Sequence, residues 1–175
     1  MKIITKFDEI TIIPNSLIVL DIDETLIKFN NIDNEWWKNE FNKIYGEIKD
    51  YDKTEKILND KWIETILELE PILVDENIHN FIECATNTGC KIILLTARDE
   101  NLYDITQQQL NKLNLNFFII HHNKNKGEYL KKLANEKYSY YKDIIVVDDL
   151  MSNLEDIKEQ MSMDYKLHLY NIKIN

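Results

Sequence analysis

The sequence predicts a three-layer, doubly wound α/β fold, with a mainly parallel sheet of about five strands and a small helical cap inserted after the first strand. Three observations support this Rossmann-like architecture. Short aliphatic runs recur along the chain and are apolar on both faces, as in parallel sheets covered on both sides. Helical patterns alternate with these runs. One segment breaks the alternation, because it holds two helical patterns and no strand.

The predicted strands are short and rich in β-branched residues, which is typical of buried strands. They are Leu17–Leu20, Ile92–Leu95, Phe117–Ile120, Ile144–Val147 and a weaker alternating run at Tyr165–Tyr170. Helical patterns cover Glu76–Thr88, Asn101–Leu113, Gly127–Glu136 and Asn153–Met161. Gly89 stands where a helix C-terminus favours glycine, and Ser152 with Glu155 suggests a capping box at the last helix.

The interrupting segment divides the chain into a core of residues 1–28 and 73–175 and an insertion of residues 29–72. Apolar residues in the insertion follow helical spacing twice, and Asp52 with Glu55 suggests a capping box for the second helix. The spaced residues are Trp37, Phe41, Ile44 and Ile48, then Leu58, Trp62, Ile66 and Leu69. Two interpretations remain open for this pair of helices: ordinary packing, or a lid over a site.

Composition and charge narrow the classes of partner. The 175 residues carry a formal charge of -10, which argues against an extended nucleic-acid footprint or binding to an anionic membrane. No apolar run approaches the roughly 18 to 20 residues that span a bilayer. The start, MKIITKFDEI, is interrupted by charge too early for a signal peptide. We therefore expect a cytoplasmic protein.

Two acids end the first buried strand, in the stretch LIVLDIDETLI. Side chains alternate along a strand, so Asp21 and Asp23 project to the same side while Ile22 points the other way. In open α/β sheets, ligands bind at the carboxyl ends of the strands. Further polar residues follow later strands or open the next helix, and a parallel sheet would gather them at the same edge: Thr96, Lys126, Asp148 and Asp149.

Such a gathering of acids calls for a cation. Two like charges about 4 Å apart repel by about 4 kcal/mol at an effective dielectric constant of about 20. Carboxylate oxygens are hard ligands, which suit Mg²⁺, and that ion bridges readily to a phosphate. We therefore expect Mg²⁺ as the cofactor, which would also neutralise an incoming phosphate that the acids alone would repel.

The motifs LDIDETL, LLTAR, NKGEYLKKL and VVDDLMSN, in this order, resemble the four motifs of the haloacid dehalogenase (HAD) superfamily, in its phosphatase-like branch with a DxDxT first motif. The resemblance covers residues 17 to about 153. It implies that Asp21 is the nucleophile that forms an aspartyl phosphate and that Asp23 is the general acid and then the base. Thr96 and Lys126 would hold the non-transferred phosphate oxygens.

The resemblance also implies a metal site formed by Asp21, the backbone carbonyl of Asp23 and one of the pair Asp148 and Asp149. The family's commoner fourth motif has glycine before the acid, whereas this chain has Asp148 there and Asn153 in the place of the last acid. Alignment favours Asp149 as the direct ligand, although alternation along the strand could reverse the two. Asn153 could hold a metal-bound water or simply sit in the first helical turn.

Candidate substrate contacts come from the first and second motifs: Thr25, Ala97 and Arg98. Arg98 is the single arginine beside 20 lysines, and its planar fork can bind two oxygens at once, for example on a second phosphate or a carboxylate. The alternative is an ion pair with Asp99 or Glu100. Adjacent strand residues point to opposite faces, so at most one of His121 and His122 faces the site.

The acid at position 23 is similar to that of phosphomonoester phosphatases and phosphomutases in the family, and it favours hydrolysis. The sequence therefore predicts a phosphatase acting on a small phosphorylated metabolite or nucleotide. The alternatives are a non-catalytic HAD-like binding module and a polynucleotide or protein phosphatase.

Overall fold

The computed structural model describes residues 1–122 and 125–173, with the backbone alone for Asn34. The chain forms two compact units. The first unit contains Met1–Ile27 and Leu73–Asn175, and the second contains Lys28–Ile72.

Parallel strands form the centre of the first unit. In the described residues the main sheet has six strands, in the order β1-β8-β7-β2-β5-β6, and all of their recorded pairings are parallel. The strands are β1 (Lys2–Ile4), β2 (Leu17–Leu20), β5 (Lys91–Thr96), β6 (Ile119–His121), β7 (Asp143–Asp148) and β8 (Lys166–Ile172). Two short strands, β3 (Ile27–Lys28) and β4 (Ile72–Leu73), form a separate two-stranded sheet.

The position of β2 in the sheet determines where a ligand can bind. β2 pairs with β5 on one side and β7 on the other, and Leu20 lies level with Leu94 and Val147. The chain thus winds outward from β2 in one direction through β5 and β6, and in the other through β7 and β8. In doubly wound proteins, ligands bind at such a reversal of strand order, outside the carboxyl ends of the strands.

Helices connect the strands and cover the sheet. They are α3 (Ile78–Asn87), α4 (Tyr103–Lys112), α5 (Lys126–Lys137) and α6 (Met151–Met161), with short 3-10 helices at Phe7–Glu9 and Glu100–Leu102. Leu130 of α5 and Leu154 of α6 belong to one buried cluster with Leu17 and Val19 of β2. Ile18 and Leu20, which alternate with these strand residues, are also fully buried. Both faces of β2 are therefore covered.

The predicted fold class is confirmed, and all five predicted strands are present. The structure adds β1 at the edge of the sheet, where three residues pair with β8. The capping box predicted for α6 is wrong, because the helix begins at Met151 and no side chain caps it at Leu150. Asp148 instead accepts a hydrogen bond from the Leu150 backbone N–H at 2.9 Å, so a strand residue anchors the start of this helix.

The second unit contains the helical pair α1 (Asn34–Ile48) and α2 (Tyr51–Glu68). Asp33 caps α1 by accepting from the backbone N–H groups of Glu35 and Trp36. The capping box predicted at Asp52 is wrong by two residues, since Asp50 caps α2 by accepting from the backbone N–H of Lys53. Trp37 and Trp62 lie 6.1 Å apart between ring centroids, so aromatic contacts link the two helices.

No helix in residues 1–122 and 125–173 is both long enough and apolar enough to cross a membrane.

Candidate metal centre

The first site residue lies at the carboxyl end of β2, the central strand. The backbone N–H of Asp21 donates to the carbonyl of Val147, which keeps Asp21 in the sheet at the level of Asp148. Directly after it the chain turns back, and the carbonyl of Ile22 accepts from Leu26 and Ile27. This turn places Glu24 in the left-handed region, at φ 55°. Such backbone conformations in residues other than glycine concentrate at functional sites.

Lys126 connects two acids at this edge. Its Nζ lies 2.6 Å from Oδ1 of Asp21 and 2.8 Å from Oδ2 of Asp148, and the lysine side chain is almost fully buried. Lys126 is the first residue of α5, and the next residue, Gly127, donates its backbone N–H to Asp156 of α6 at 2.7 Å. The packing of α5 on α6 therefore positions the ammonium group.

Asp148 and Asp149 end β7 in different environments. Both oxygens of Asp148 accept from the side-chain amide of Asn153, at 3.0 and 3.1 Å, in addition to its bonds with Lys126 and Leu150. The backbone of Asp149 is fixed by three contacts: its N–H donates to Thr25 Oγ1, and its carbonyl accepts from Asn171 and Lys173. Asp148 is thus extensively hydrogen-bonded, and Asp149 presents its carboxylate from a fixed backbone.

Three carboxylates come together and could hold a metal ion. One oxygen from each of Asp21, Asp148 and Asp149 lies within 4.8 Å of the others. Lys126 is the cation bonded to two of them, so the ionised group has more negative than positive charge. An all-oxygen donor set of this kind fits a hard divalent cation.

Burial and mutual repulsion shift the protonation of these groups. Burial raises the pKa of Asp21 to about 8, against the lowering effect of Lys126, and the charges of Asp148 and Asp149 add to the rise. Burial and the charge of Asp148 raise the pKa of Asp149 to about 7. Burial disfavours the charged form of Lys126, but Asp21 and Asp148 outweigh it and raise the pKa of that ammonium.

Asp23 is not one of the three acids whose carboxylate oxygens come together, although the sequence predicts that it contributes to the metal site. Its carboxylate forms a bidentate ion pair with Arg98, with Nε–Oδ2 at 2.8 Å and Nη2–Oδ1 at 2.7 Å. The sequence leaves two interpretations of Arg98 open, a substrate contact and an ion pair with Asp99 or Glu100, and both stay predictions. The metal contact predicted for the backbone carbonyl of Asp23 stays a prediction.

The remaining candidates lie at the same edge of the sheet. Thr25 is fully buried, and its hydroxyl lies 3.4 Å from Asp21 Oδ2. Thr96 ends β5, and its hydroxyl accepts from the backbone N–H of Arg98 at 3.2 Å, whereas Ala97 between them is exposed. The roles predicted for Thr25, Thr96 and Ala97 toward a substrate stay predictions.

The two neighbouring histidines at the end of β6, His121 in the strand and His122 directly after it, contact different groups. His121 Nδ1 lies 3.1 Å from the carbonyl oxygen of Arg98, and His122 stacks on the ring of Tyr129 with centroids 4.3 Å apart.

Comparison with known proteins gives a family. The model of the family described as "Protein of unknown function (DUF2608)" matches residues 3–119, two thirds of the chain. The chain belongs to the DUF2608 family. The DUF2608 match includes Asp21, Asp23, Thr96 and Arg98 and ends before Lys126, so Asp148 and Asp149 also lie outside it.

No curated protein matches this DUF2608 chain. Among solved structures, the chain is similar to the HAD domain of effector protein Lem4 from Legionella pneumophila, an inactive mutant, with 13% sequence identity and a TM-score of 0.49. The similarity covers 93% of this chain and 87% of that one.

Sequence reasoning did not identify several residues that support the site. Thr106 and Gln109, three positions apart on α4, are buried and accept from Arg98. The feature of the sequence that could have identified them is the pair of polar residues on the buried face of a short helix. Asn171 near the end of β8 is fully buried and donates to the carbonyls of Asp148 and Asp149. A polar residue at the apolar end of a strand is a weaker indication that the residue supports a site.

Proposed function

We propose that the chain is a Mg²⁺-dependent phosphomonoester hydrolase that acts on a small phosphorylated metabolite or nucleotide through an aspartyl phosphate. The arrangement of Lys126 between Asp21 and Asp148 carries this proposal. A buried ammonium beside grouped carboxylates, at the switch point of a parallel sheet, gives a nucleophile and a phosphate-binding cation within 2.6 Å of each other. The motif resemblance to HAD phosphatases points the same way.

In the first step, a carboxylate oxygen of Asp21 attacks phosphorus and the bond from phosphorus to the leaving oxygen breaks. Asp23 donates a proton to that oxygen, so the leaving group departs as an alcohol. In the second step, Asp23 takes a proton from water as the water attacks phosphorus. The bond from phosphorus to Asp21 then breaks and releases inorganic phosphate, which restores the free carboxylate.

Charge stabilisation is the larger task in such a reaction. Lys126 would hold a non-transferred phosphate oxygen together with the Thr96 hydroxyl. Asp21 and Asp149 would hold Mg²⁺ with the Asp23 carbonyl, and Asp148 would support Lys126 from behind, because its oxygens already accept from Lys126 and Asn153. The bound Mg²⁺ would supply the positive charge that lets a phosphate dianion approach these acids.

The test is turnover of p-nitrophenyl phosphate with Mg²⁺, with and without a chelator. We expect metal-dependent hydrolysis that falls to background in Asp21→Asn and by about 10²- to 10⁴-fold in Asp23→Asn. Asp104→Asn is the matched control, since Asp104 is an exposed acid of α4, and it should retain full activity. Absence of metal-dependent turnover, or full activity in Asp21→Asn, would instead favour a non-catalytic binding module.

A further inference from the structure

We propose that Arg98 is a positioning residue that holds the carboxylate of Asp23 in the direction needed for proton transfer. This inference rests on the hydrolysis proposed above and adds a residue to it. The guanidinium contacts both oxygens of Asp23, at 2.8 Å from Nε and 2.7 Å from Nη2. Two parallel bonds fix the plane of the carboxylate as well as its distance, which a single bond cannot do.

Two side chains of α4 hold the guanidinium group of Arg98 in place. Its Nη1 donates to Thr106 Oγ1 at 3.1 Å and to Gln109 Oε1 at 2.7 Å, and both acceptors are buried on α4. Only 3% of Arg98 is exposed. These bonds to α4 therefore fix the guanidinium group of Arg98. Through it, α4 determines the direction of the Asp23 carboxylate.

The backbone of Arg98 is anchored at two strand ends. Its N–H donates to the hydroxyl of Thr96, the last residue of β5, and its carbonyl contacts the ring of His121, the last residue of β6. Arg98 thus links the sheet edge to α4 and presents its side chain to the loop after β2.

Asp23 keeps room for a reacting group. A carboxylate has about four lone-pair sites, and the bidentate pair uses one on each oxygen, so one site on each oxygen remains for the proton that Asp23 transfers. Its side chain is 27% exposed, whereas that of Arg98 is 1% exposed. The side of Asp23 away from Arg98 is therefore open, so the ion pair can orient the carboxylate without blocking it.

Arginine suits the role of orienting the Asp23 carboxylate better than lysine does. The chain has 20 lysines and one arginine, and the arginine occurs where a planar fork meets two carboxylate oxygens. A lysine would keep the charge but offer a point contact to one oxygen.

A positioning role predicts a dependence on the leaving group. The kcat/KM of an aspartyl-phosphate reaction includes steps only through the first irreversible cleavage, in which Asp23 acts as the acid. A phenol with a low pKa leaves without a proton, whereas a phenol with a high pKa needs one. Loss of orientation at Asp23 should therefore matter only for the poorer leaving groups.

The experiment measures kcat/KM with Mg²⁺ for aryl phosphates of graded phenol pKa in wild type, Arg98→Gln and Arg98→Lys. We expect Arg98→Gln to lose about 10- to 100-fold on the poorest leaving group and less than about 3-fold on the best. Arg98→Lys should fall between wild type and Arg98→Gln. In an Asp23→Asn background, Arg98→Gln should cause no further loss, because the two residues act through one step.

Gln109→Met removes an acceptor behind the guanidinium and keeps Arg98, so it tests the same idea if Arg98→Gln does not fold. We expect it to reproduce the leaving-group dependence at smaller amplitude. Gln108→Met is the matched control, since the neighbouring glutamine is exposed on the same helix, and it should behave as wild type.

The outcomes separate the two proposals. An active wild type with equal loss across the aryl series, or losses that multiply in the double variant, would overturn the positioning role and leave the phosphatase intact. Equal loss combined with a raised KM would indicate a substrate contact by Arg98 instead. A wild type without metal-dependent turnover would overturn the proposed function, and the positioning role with it.

Discussion

At the residue scale, the site is defined by a small number of buried charges that depend on one another. Lys126 bonds to Asp21 and Asp148, and Asp149 completes the group without another cation recorded in contact with its carboxylate among the described residues. Two buried acids and a half-buried one beside a single ammonium are unfavourable unless some of the acids are protonated or a metal ion binds. The pKa values of Asp21 and Asp149 are raised accordingly, because burial and repulsion between the acids favour their protonated forms.

The stability of the metal-free protein should therefore fall as pH rises. The pKa of Asp21 is about 8 in the folded protein, against an ordinary pKa of 3.8, so the folded state binds more protons between these two values. The stabilisation from its protonation is fully present below about pH 4 and is lost as the pH rises through about 8. Asn mimics the protonated acid at this position. We expect Asp21→Asn to equal wild type near pH 4 and to exceed it by a few kcal/mol above pH 8.

Urea unfolding of both proteins from pH 4 to 9, with a chelator present, measures this difference. Added Mg²⁺ should stabilise wild type increasingly over the same pH range, because the cation competes with protons for the carboxylates. The comparison with Asp21→Asn removes the contributions of other groups, such as Asp143, whose pKa is lowered by its bond to His168. A constant difference between the two proteins at all pH values would contradict the prediction.

At the element scale, the packing of α5 on α6 determines where Lys126 lies. Gly127 has no Cβ, and one added there would lie 2.6 Å from the carbonyl oxygen of Asp156. This contact is with backbone, so the helices must separate to admit a methyl group. Gly46 of α1 gives a matched comparison, because a Cβ there meets nothing within 4 Å.

Gly127→Ala should destabilise the protein by about 1–3 kcal/mol through overpacking and should weaken Mg²⁺-dependent stabilisation, since Lys126 moves with the helix. Gly46→Ala should instead be neutral or stabilising by about 0.5–1 kcal/mol, because alanine is the better helix former. Chemical denaturation with and without Mg²⁺ checks both variants. Equal effects of the two substitutions would show that helix separation is not involved.

Elements with a strong local pattern could be predicted from the sequence, and those that depend on distant partners could not. Leu17–Leu20 is a strand with the bounds that its aliphatic run predicts. Lys2–Ile4 has too few residues for a pattern and is a strand because β8 offers it an edge. The start of α6 depends on Asp148, which precedes the helix in a strand, so a local capping rule chose the wrong residue.

The candidate site shows the same limit. Strand order in a parallel sheet is enough to expect Asp21, Lys126 and the pair Asp148 and Asp149 at one edge, and the structure brings them together. The partner of Arg98 was not predictable, because 75 residues separate it from Asp23 and the choice depends on where α4 places Thr106 and Gln109.

At the scale of the whole molecule, the charge of the chain bears on which phosphorylated substrate the proposed phosphatase could take. The formal charge is -10, from 31 acids against 21 bases. Repulsion between such a surface and a polyanion extends over about 30 Å at 0.01 M salt and about 10 Å at 0.1 M. A mononucleotide carries much less negative charge than a polynucleotide, so its binding should depend less on the salt concentration.

This difference separates a small phosphorylated substrate from a polynucleotide. If the enzyme hydrolyses both, kcat/KM for a phosphorylated oligonucleotide should rise several-fold between about 0.02 and 0.2 M NaCl, because screening relieves the repulsion that slows association. The value for a nucleoside monophosphate should change by less than about 2-fold over the same range. Assays at fixed free Mg²⁺ measure both. A fall in kcat/KM with salt for the oligonucleotide would instead indicate a basic surface that attracts the strand despite the net charge, as counterion release requires.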